Sequence, residues 1–242
     1  MHIAILLTSN DKSEFAQRFP DDGEKFRKLL ASVRPEWRYR VVRVAEMEFP
    51  ENLDEFDGFV ITGSPASVND ELPWIEELLD LIVSLHRKQR PVFGCCFGHQ
   101  AIAKALGGRV GYNPGDGWSL GISRANYSIP MDWMPECQTH IDLYAAHSEQ
   151  VHELPIQAIS IASSTGCPCS AFVVGNHIMT TQYHPEMSEE FMRQLIDHLS
   201  EELTANQGNR FLEQLRKPAQ GAEFGAWITR FLESAHCRGQ QS

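Results

Sequence analysis

Apolar residues along the chain recur with two periods, and the switch between them predicts an architecture. Residues 2–8 form an apolar run, the pattern of a strand buried on both faces. After a polar loop from Ser9 to Phe19, Asp21-Asp22 offer an N-cap to a helix. Its apolar face is Phe26, Leu29, Leu30 and Val33, and Pro35 stops it. Tyr39 to Val44 and Asp57 to Ile61 read as the second and third strands, the third ending in Thr62-Gly63-Ser64-Pro65. Pro73 to Lys88 predicts an amphipathic helix with Ile75, Leu78, Leu79, Ile82 and Leu85 on one face. A fourth strand, Pro91-Val92-Phe93-Gly94-Cys95, runs straight into a helix from Phe97 to about Leu106, closed by Gly107-Gly108. Four strands joined by helical or loop crossovers predict a parallel sheet covered on both faces, an α/β fold of three layers.

Beyond Gly108 the period shortens. Short β-like runs at Arg109–Tyr112, Gly121–Ile129, Ile141–Ala145 and Ala158–Ala162 are broken by Pro, Gly and Asp. Ala171–Val174 and His177–Tyr183 flank Gly175-Asn176, which predicts a two-residue hairpin. A helix is expected from near Ser188 to about Leu203, then two helical pieces at Asn209–Arg216 and Glu223–Ser234. The expected division is a main domain over 1–204 and a short helical C-terminal extension over 205–242. That extension either covers the sheet or contributes a dimer contact.

Composition narrows the classes. A hydrophobic fraction of 42% supplies ample core, and a net charge of −11 with no dense Lys/Arg block argues against a nucleic-acid partner. No apolar run is long enough to cross a bilayer, and Met1 to Thr8 lacks the basic start and length of a signal segment. The six cysteines, at 95, 96, 137, 167, 169 and 237, have neither disulfide-framework nor zinc spacing. Reduced thiols and a cytoplasmic location are therefore expected. The Cys167-Pro168-Cys169 stretch reads as a loop with one buried and one exposed thiol.

The candidate chemistry sits where the fourth strand meets its helix. Such a strand–nucleophile–helix turn needs small residues two before and two after the reactive side chain, because strand and helix backbones nearly touch there. Gly94 and Gly98 bracket Cys96, whereas Cys95 would be bracketed by Phe93 and Phe97. Cys96 is thus the candidate nucleophile and Cys95 a core residue. The helix N-terminus behind Cys96 favours a thiolate through its unpaired N–H groups and dipole. A nucleophilic thiol needs a base and the base an orienting group. Of ten histidines, His184 is best placed, at the end of an apolar strand, with Glu186 two residues on. His99 reads as structural. His147 either lines the site or caps a turn, and Trp118, in Gly115-Asp116-Gly117-Trp118, either walls the pocket or packs in the turn.

Four segments taken in order resemble the class I glutamine amidotransferases: Ile61 to Pro65, Gly94 to Gln100, Ala146 to Val151, and Tyr183 to Glu186. The chain is most similar to the stand-alone, guanylate-synthase-like glutaminases and to the γ-glutamyl peptidases. The resemblance implies a three-layer flavodoxin-like sandwich with a mostly parallel central sheet. It also implies a triad of Cys96, His184 and Glu186. The oxyanion hole would be formed by the backbone N–H groups of Ser64 and Phe97, with Gly63 giving its loop freedom. Gln100, Ser148 and Glu149 match positions that hold the substrate glutamine. The implied activity is hydrolysis of the γ-amide of glutamine through a Cys96 thioester, needing no metal or organic cofactor, with ammonia passed to a synthetase on a separate chain. No synthetase motif occurs in this sequence, which brings in the alternative of a free-standing γ-glutamyl peptidase. A non-catalytic binding or regulatory subunit is the third reading.

Overall fold

The computed structural model describes residues 1–114 and 117–240. Gly115 and Asp116, half of the expected turn before Trp118, lie outside the described residues. Eleven strands and six α-helices follow in the order β1 (His2–Leu6), α1 (Asp22–Ala31), β2 (Arg38–Val42), β3 (Gly58–Ile61), α2 (Pro73–Arg87), β4 (Val92–Cys95), α3 (Phe97–Ala105), β5 (Arg109–Tyr112), β6 (Ser119–Tyr127), β7 (His140–His147), β8 (Glu149–Glu153), β9 (Ala158–Ser164), β10 (Cys167–Val174), β11 (Ile178–Thr181), α4 (Glu189–His198), α5 (Ala205–Gln214) and α6 (Gly221–Gly239).

Nine strands form one sheet in the order β2-β1-β3-β4-β11-β10-β9-β6-β7, and β5 pairs with β8 in a separate ribbon. The first five are parallel, in the 2-1-3-4-5 order of flavodoxin-like sheets. The remaining four continue antiparallel. This is the α/β sandwich that the apolar periodicity and the resemblance predict, with its parallel half running from the β2 edge to β11 and its antiparallel half beyond.

Alternation along the strands builds two cores back to back. Ile3, Ile5, Val60, Phe93 and Cys95 face α1 and α6, while Ala4, Leu6, Phe59, Ile61 and Val92 face α2 and α3. A third, smaller core under α4 and α5 covers β6 and β7 with Leu120, Tyr144, Met192 and Phe211. The extension predicted from residue 205 therefore has two roles. α5 caps the antiparallel end, and α6 supplies Phe224, Trp227, Ile228 and Leu232 to the core shared with α1 and β4. Of the two expectations for this tail, covering the sheet is the one seen.

Helix starts follow their caps. Asp21 accepts from the Glu24 N–H at the start of α1 and Ser188 from the Phe191 N–H at the start of α4. Two local expectations need correction. Val174 pairs with Ile178, so the β10–β11 loop holds three residues, not two. His177 lies in that loop, its Nε2 bonded to His86 Nδ1 at 3.0 Å. Cys167 and Cys169 lie in β10 rather than in a loop, and both are buried. The irregular register between Cys167 and Ala171 sends them into different cores, where burial pushes the thiols up to about 12 and about 11.

Trp227, fully buried between Tyr127, Trp133 and Phe224, is the largest side chain that α6 contributes. Trp227→Ala is expected to cost about 3–5 kcal/mol of folding stability. Urea denaturation measures it, and a cost below 1 kcal/mol would make α6 peripheral.

Candidate active site

The parallel strands β1, β3, β4 and β11 all end on one side of the sheet, and the loops leaving them meet there. The turn after β4 is the tightest. Cys96 has φ 48° and ψ −102°, a conformation a non-glycine residue adopts only when its surroundings impose it. The surroundings are the two bracketing glycines. A Cβ on Gly98 would stand 2.5 Å from the Ile61 carbonyl oxygen, and one on Gly94 would stand 2.7 Å from that of Gly98. The Gly98 N–H donates to the Thr62 carbonyl at 3.1 Å and the Cys96 N–H to that of Thr181 at 2.8 Å, fastening the elbow to β3 and β11. Cys95 points into the core with α1 and α6, as the glycine spacing requires.

The side chains of His184 and Cys96 converge on Gly63. A methyl group built there would meet His184 Cε1 at 2.9 Å and Cys96 Cβ at 3.8 Å, so both side chains flank this glycine; Cys96 Sγ itself lies 3.9 Å from the Ala146 carbonyl, to which it donates. His184 is fixed by its own N–H, which donates to the Tyr144 carbonyl at 2.8 Å. Its Nδ1 shares a 2.6 Å hydrogen bond with Glu186 Oε1, both side chains being almost fully buried. Burial alone would depress the imidazole. The Glu186 carboxylate, helped by the Cys95 and Cys96 sulfurs, overrides it and holds His184 well above its ordinary value. The other ring nitrogen, Nε2, is buried and has no partner among the described residues.

Cys95 touches the same pair from below, with Sγ 3.8 Å from His184 Nδ1 and 3.7 Å from Glu186 Oε2. Desolvation, and next the Glu186 charge, push this thiol far up, so it stays protonated. Among the described residues, Cys95, His184 and Glu186 offer three ligand atoms within 4.8 Å of one another, with Nδ1 already committed to Glu186.

The other expected site residues gather around this centre. Thr8 Oγ1 donates to the Gly63 carbonyl at 2.7 Å, which fixes the plane of the Gly63–Ser64 peptide and hence the direction of the Ser64 N–H. The Phe97 N–H is among the first-turn donors that α3 leaves without an intrahelical acceptor. Gly63, Ser64, Gln100, Ser148 and Glu149 all line one cleft of about 720 Å³ with Cys96 and His184. Within it Glu149 accepts from Ser67 Oγ at 2.8 and 3.0 Å, and Gln100 donates to the Glu149 carbonyl at 2.8 Å. His147 lines the cleft and also bonds the Glu149 carbonyl at 3.0 Å, and burial lowers it to about 4. Trp118 lines the cleft too, its indole N–H donating to Glu202. His99 is buried beneath the site against Phe172 and bonded to Thr180 at 2.8 Å, and burial takes it to about 3, as a structural role requires.

Two neighbours escaped the sequence reading. Gln182 donates to Cys96 Sγ at 3.6 Å, and its Oε1 accepts from Gln100 at 3.3 Å. Ser67 holds the Glu149 carboxylate. The polar run Thr180-Thr181-Gln182 closing an otherwise apolar strand was a signal for Gln182. Nothing in the pattern around Ser67 sets it apart from a surface serine.

The family model for glutamine amidotransferase class-I matches residues 20–198. The chain belongs to the class I glutamine amidotransferase family. Within that family it is similar to γ-glutamyl peptidase 2 of Arabidopsis thaliana, 31% identical over 193 residues that cover 76% of this chain and 71% of that protein. It is also similar to the glutamine-hydrolysing GMP synthase of Aeropyrum pernix, 27% identical over 150 residues, 61% of this chain but only 28% of that protein. The amidotransferase fold recurs in the crystal structure of a glutamine amidotransferase from Methylobacillus flagellatus. That structure superposes with a TM-score of 0.73 at 24% identity, covering 98% of this chain and 94% of the other. Among the described residues no helix is long and apolar enough to cross a membrane.

If Glu186 is what keeps His184 charged, Glu186→Gln leaves burial as the dominant effect and the imidazole pKa falls. At neutral pH the ring is then neutral where the parent carries a proton. A histidine NMR titration reads this, and an unchanged His184 resonance would assign the shift elsewhere.

Proposed function

We propose that this amidotransferase is a cysteine hydrolase of γ-glutamyl C–N bonds, with Cys96 as nucleophile, His184 as acid and base, and Glu186 as the group that orients and charges the imidazole. The observation that carries the reading is the buried His184–Glu186 pair set beside the forced turn of Cys96 at Gly63. As Cys96 is activated its proton passes to His184, whose charge Glu186 sustains. The thiolate attacks the γ-carbonyl of glutamine, and the oxyanion that forms is met by the Ser64 and Phe97 N–H groups. Each such donor contributes about 10²–10³ in rate. His184 passes its proton to the departing nitrogen, ammonia leaves, and a γ-glutamyl thioester remains on Cys96. Water then enters, His184 takes its proton, and glutamate is released with the thiol restored. Glu149, fixed by Ser67, and Ser148 stand ready for the α-amino and α-carboxylate groups, with Gln100 bracing them.

A second reading shares every step and differs in what leaves: a free-standing γ-glutamyl peptidase or amidase. The similarity to γ-glutamyl peptidase 2 and a cleft far larger than a lone glutamine fills both favour it. Under the first reading the ammonia would pass to a separate synthetase chain, the arrangement suggested by the part-length match to a GMP synthase.

Cys96→Ser is expected to lower release of glutamate from glutamine or a γ-glutamyl dipeptide by about 10⁴-fold or more. A γ-glutamyl-mimicking alkylator, located by mass spectrometry, is expected on Cys96 in preference to the other five thiols. Among those, burial holds Cys95, Cys167 and Cys169 protonated. Even labelling of all six, or full turnover by Cys96→Ser, would remove the triad. Comparing kcat/KM for glutamine and a γ-glutamyl dipeptide separates the two readings.

A further inference from the structure

The two ends of the cleft differ in chemistry. At one end Ser67, Gln100 and Glu149 form a polar, hydrogen-bonded wall. At the other, on the side of His184 and Glu186, Phe15 and Phe19 from the loop after β1 meet Phe191 of α4. Their ring centroids lie 5.5 Å (Phe15–Phe191), 5.0 Å (Phe19–Phe191) and 5.7 Å (Phe15–Phe19) apart. Met187 extends this wall to within one residue of Glu186. Neither Phe15 nor Phe19 is buried, although both are large apolar rings.

Acyl transfer gives the two ends different occupants. His184 protonates the departing nitrogen, so whatever that nitrogen carries lies on the His184 side, and the glutamyl α-carbon groups lie on the Glu149 side. Ammonia would leave the aromatic end empty. The charges there are informative as well. Lys12 pairs with Glu46 at 3.4 Å, Lys25 with Asp22 at 2.8 Å, and Arg43 with Asp21 at 3.2 Å, all six lining the cleft. Lys25 also sits 3.8 Å over the Phe191 ring. Each of these cations is thus already matched, and Asp11 adds further negative charge. A carboxylate on the leaving group would find no unmatched cation and would face like charge.

We propose that the aromatic end is a leaving-group site, selective for γ-glutamyl amides whose nitrogen bears an aromatic or branched apolar group without a carboxylate. This rests on the γ-glutamyl reading above and names the amine half of that substrate. Phe15, Phe19 and Phe191 determine specificity by burying the amine's apolar body. Hydrolysis then breaks the C–N bond, giving glutamate and a free apolar amine that takes its proton from His184.

The test uses the full chain and three substrates: γ-glutamyl-methylamide, γ-glutamyl-benzylamide and γ-glutamyl-phenylalanine. Burying one ring predicts a kcat/KM for the benzylamide at least about tenfold above the methylamide, and γ-glutamyl-phenylalanine below the benzylamide. Phe15→Ala and Phe19→Ala, each at a partly exposed position, are expected to pull the benzylamide-to-methylamide ratio toward one. Equal rates for the two amides, or γ-glutamyl-phenylalanine matching the benzylamide, overturn the leaving-group site while hydrolysis of glutamine leaves the triad standing. A ratio unmoved by both substitutions overturns the assignment of the rings. If glutamine and all three compounds are inert, the γ-glutamyl reading falls and the site falls with it.

Discussion

The close approach of β3, β4 and α3 is the constraint on which the rest of the structure depends. Gly98 sits so near the end of β3 that a methyl group there would overlap the Ile61 carbonyl, and Gly94 is pressed as closely by Gly98. That contact leaves the residue between them one path from strand to helix, and Cys96 takes it with a left-handed φ. A conformation of this kind costs of the order of 1–3 kcal/mol and persists because hydrogen bonds to Thr62 and Thr181 hold both flanks. The result is a thiol at the mouth of a helix N-terminus, at the C-terminal end of the parallel strands and facing the cleft.

Electrostatics at the site works against desolvation. A buried imidazole is ordinarily neutral, as His99 and His147 are a few ångströms of packing away. His184 differs because a carboxylate is buried with it at 2.6 Å. The pair sits on an isolated bridge to β7, so the first strands of the antiparallel half help position the centre of the parallel half. Cys95 adds a protonated thiol against Nδ1 and the second carboxylate oxygen, filling space that water would otherwise reach.

The antiparallel strands and the last two helices carry no residue of the Cys–His–Glu set, yet they shape what the site can accept. β7 and β8 deliver His147, Ser148 and Glu149 to one wall, while α4 and the loop after β1 build the aromatic wall opposite. α6 closes the core beneath β4, from which the elbow is hung.

Much of this was legible in the residues alone. The apolar runs, the caps at Asp21 and Ser188 and the glycine bracket determined the layers and picked Cys96 over Cys95, because those signals act within a few residues of the chain. His184 and Glu186 were legible as a pair two apart at a strand end. What local pattern could not decide was which distant groups would meet. The burial of Cys169 and the three-residue loop before β11 follow from register and packing with elements far along the chain, such as His86. Ser67 on Glu149, Gln182 on Cys96, and the rings at 15, 19 and 191 are likewise juxtapositions that only the closed sheet and its covering helices create. Sequence singled out the candidate reacting groups because their chemistry is local. The tertiary structure decided the cleft around them, because shape and charge there are sums over residues that the chain keeps apart.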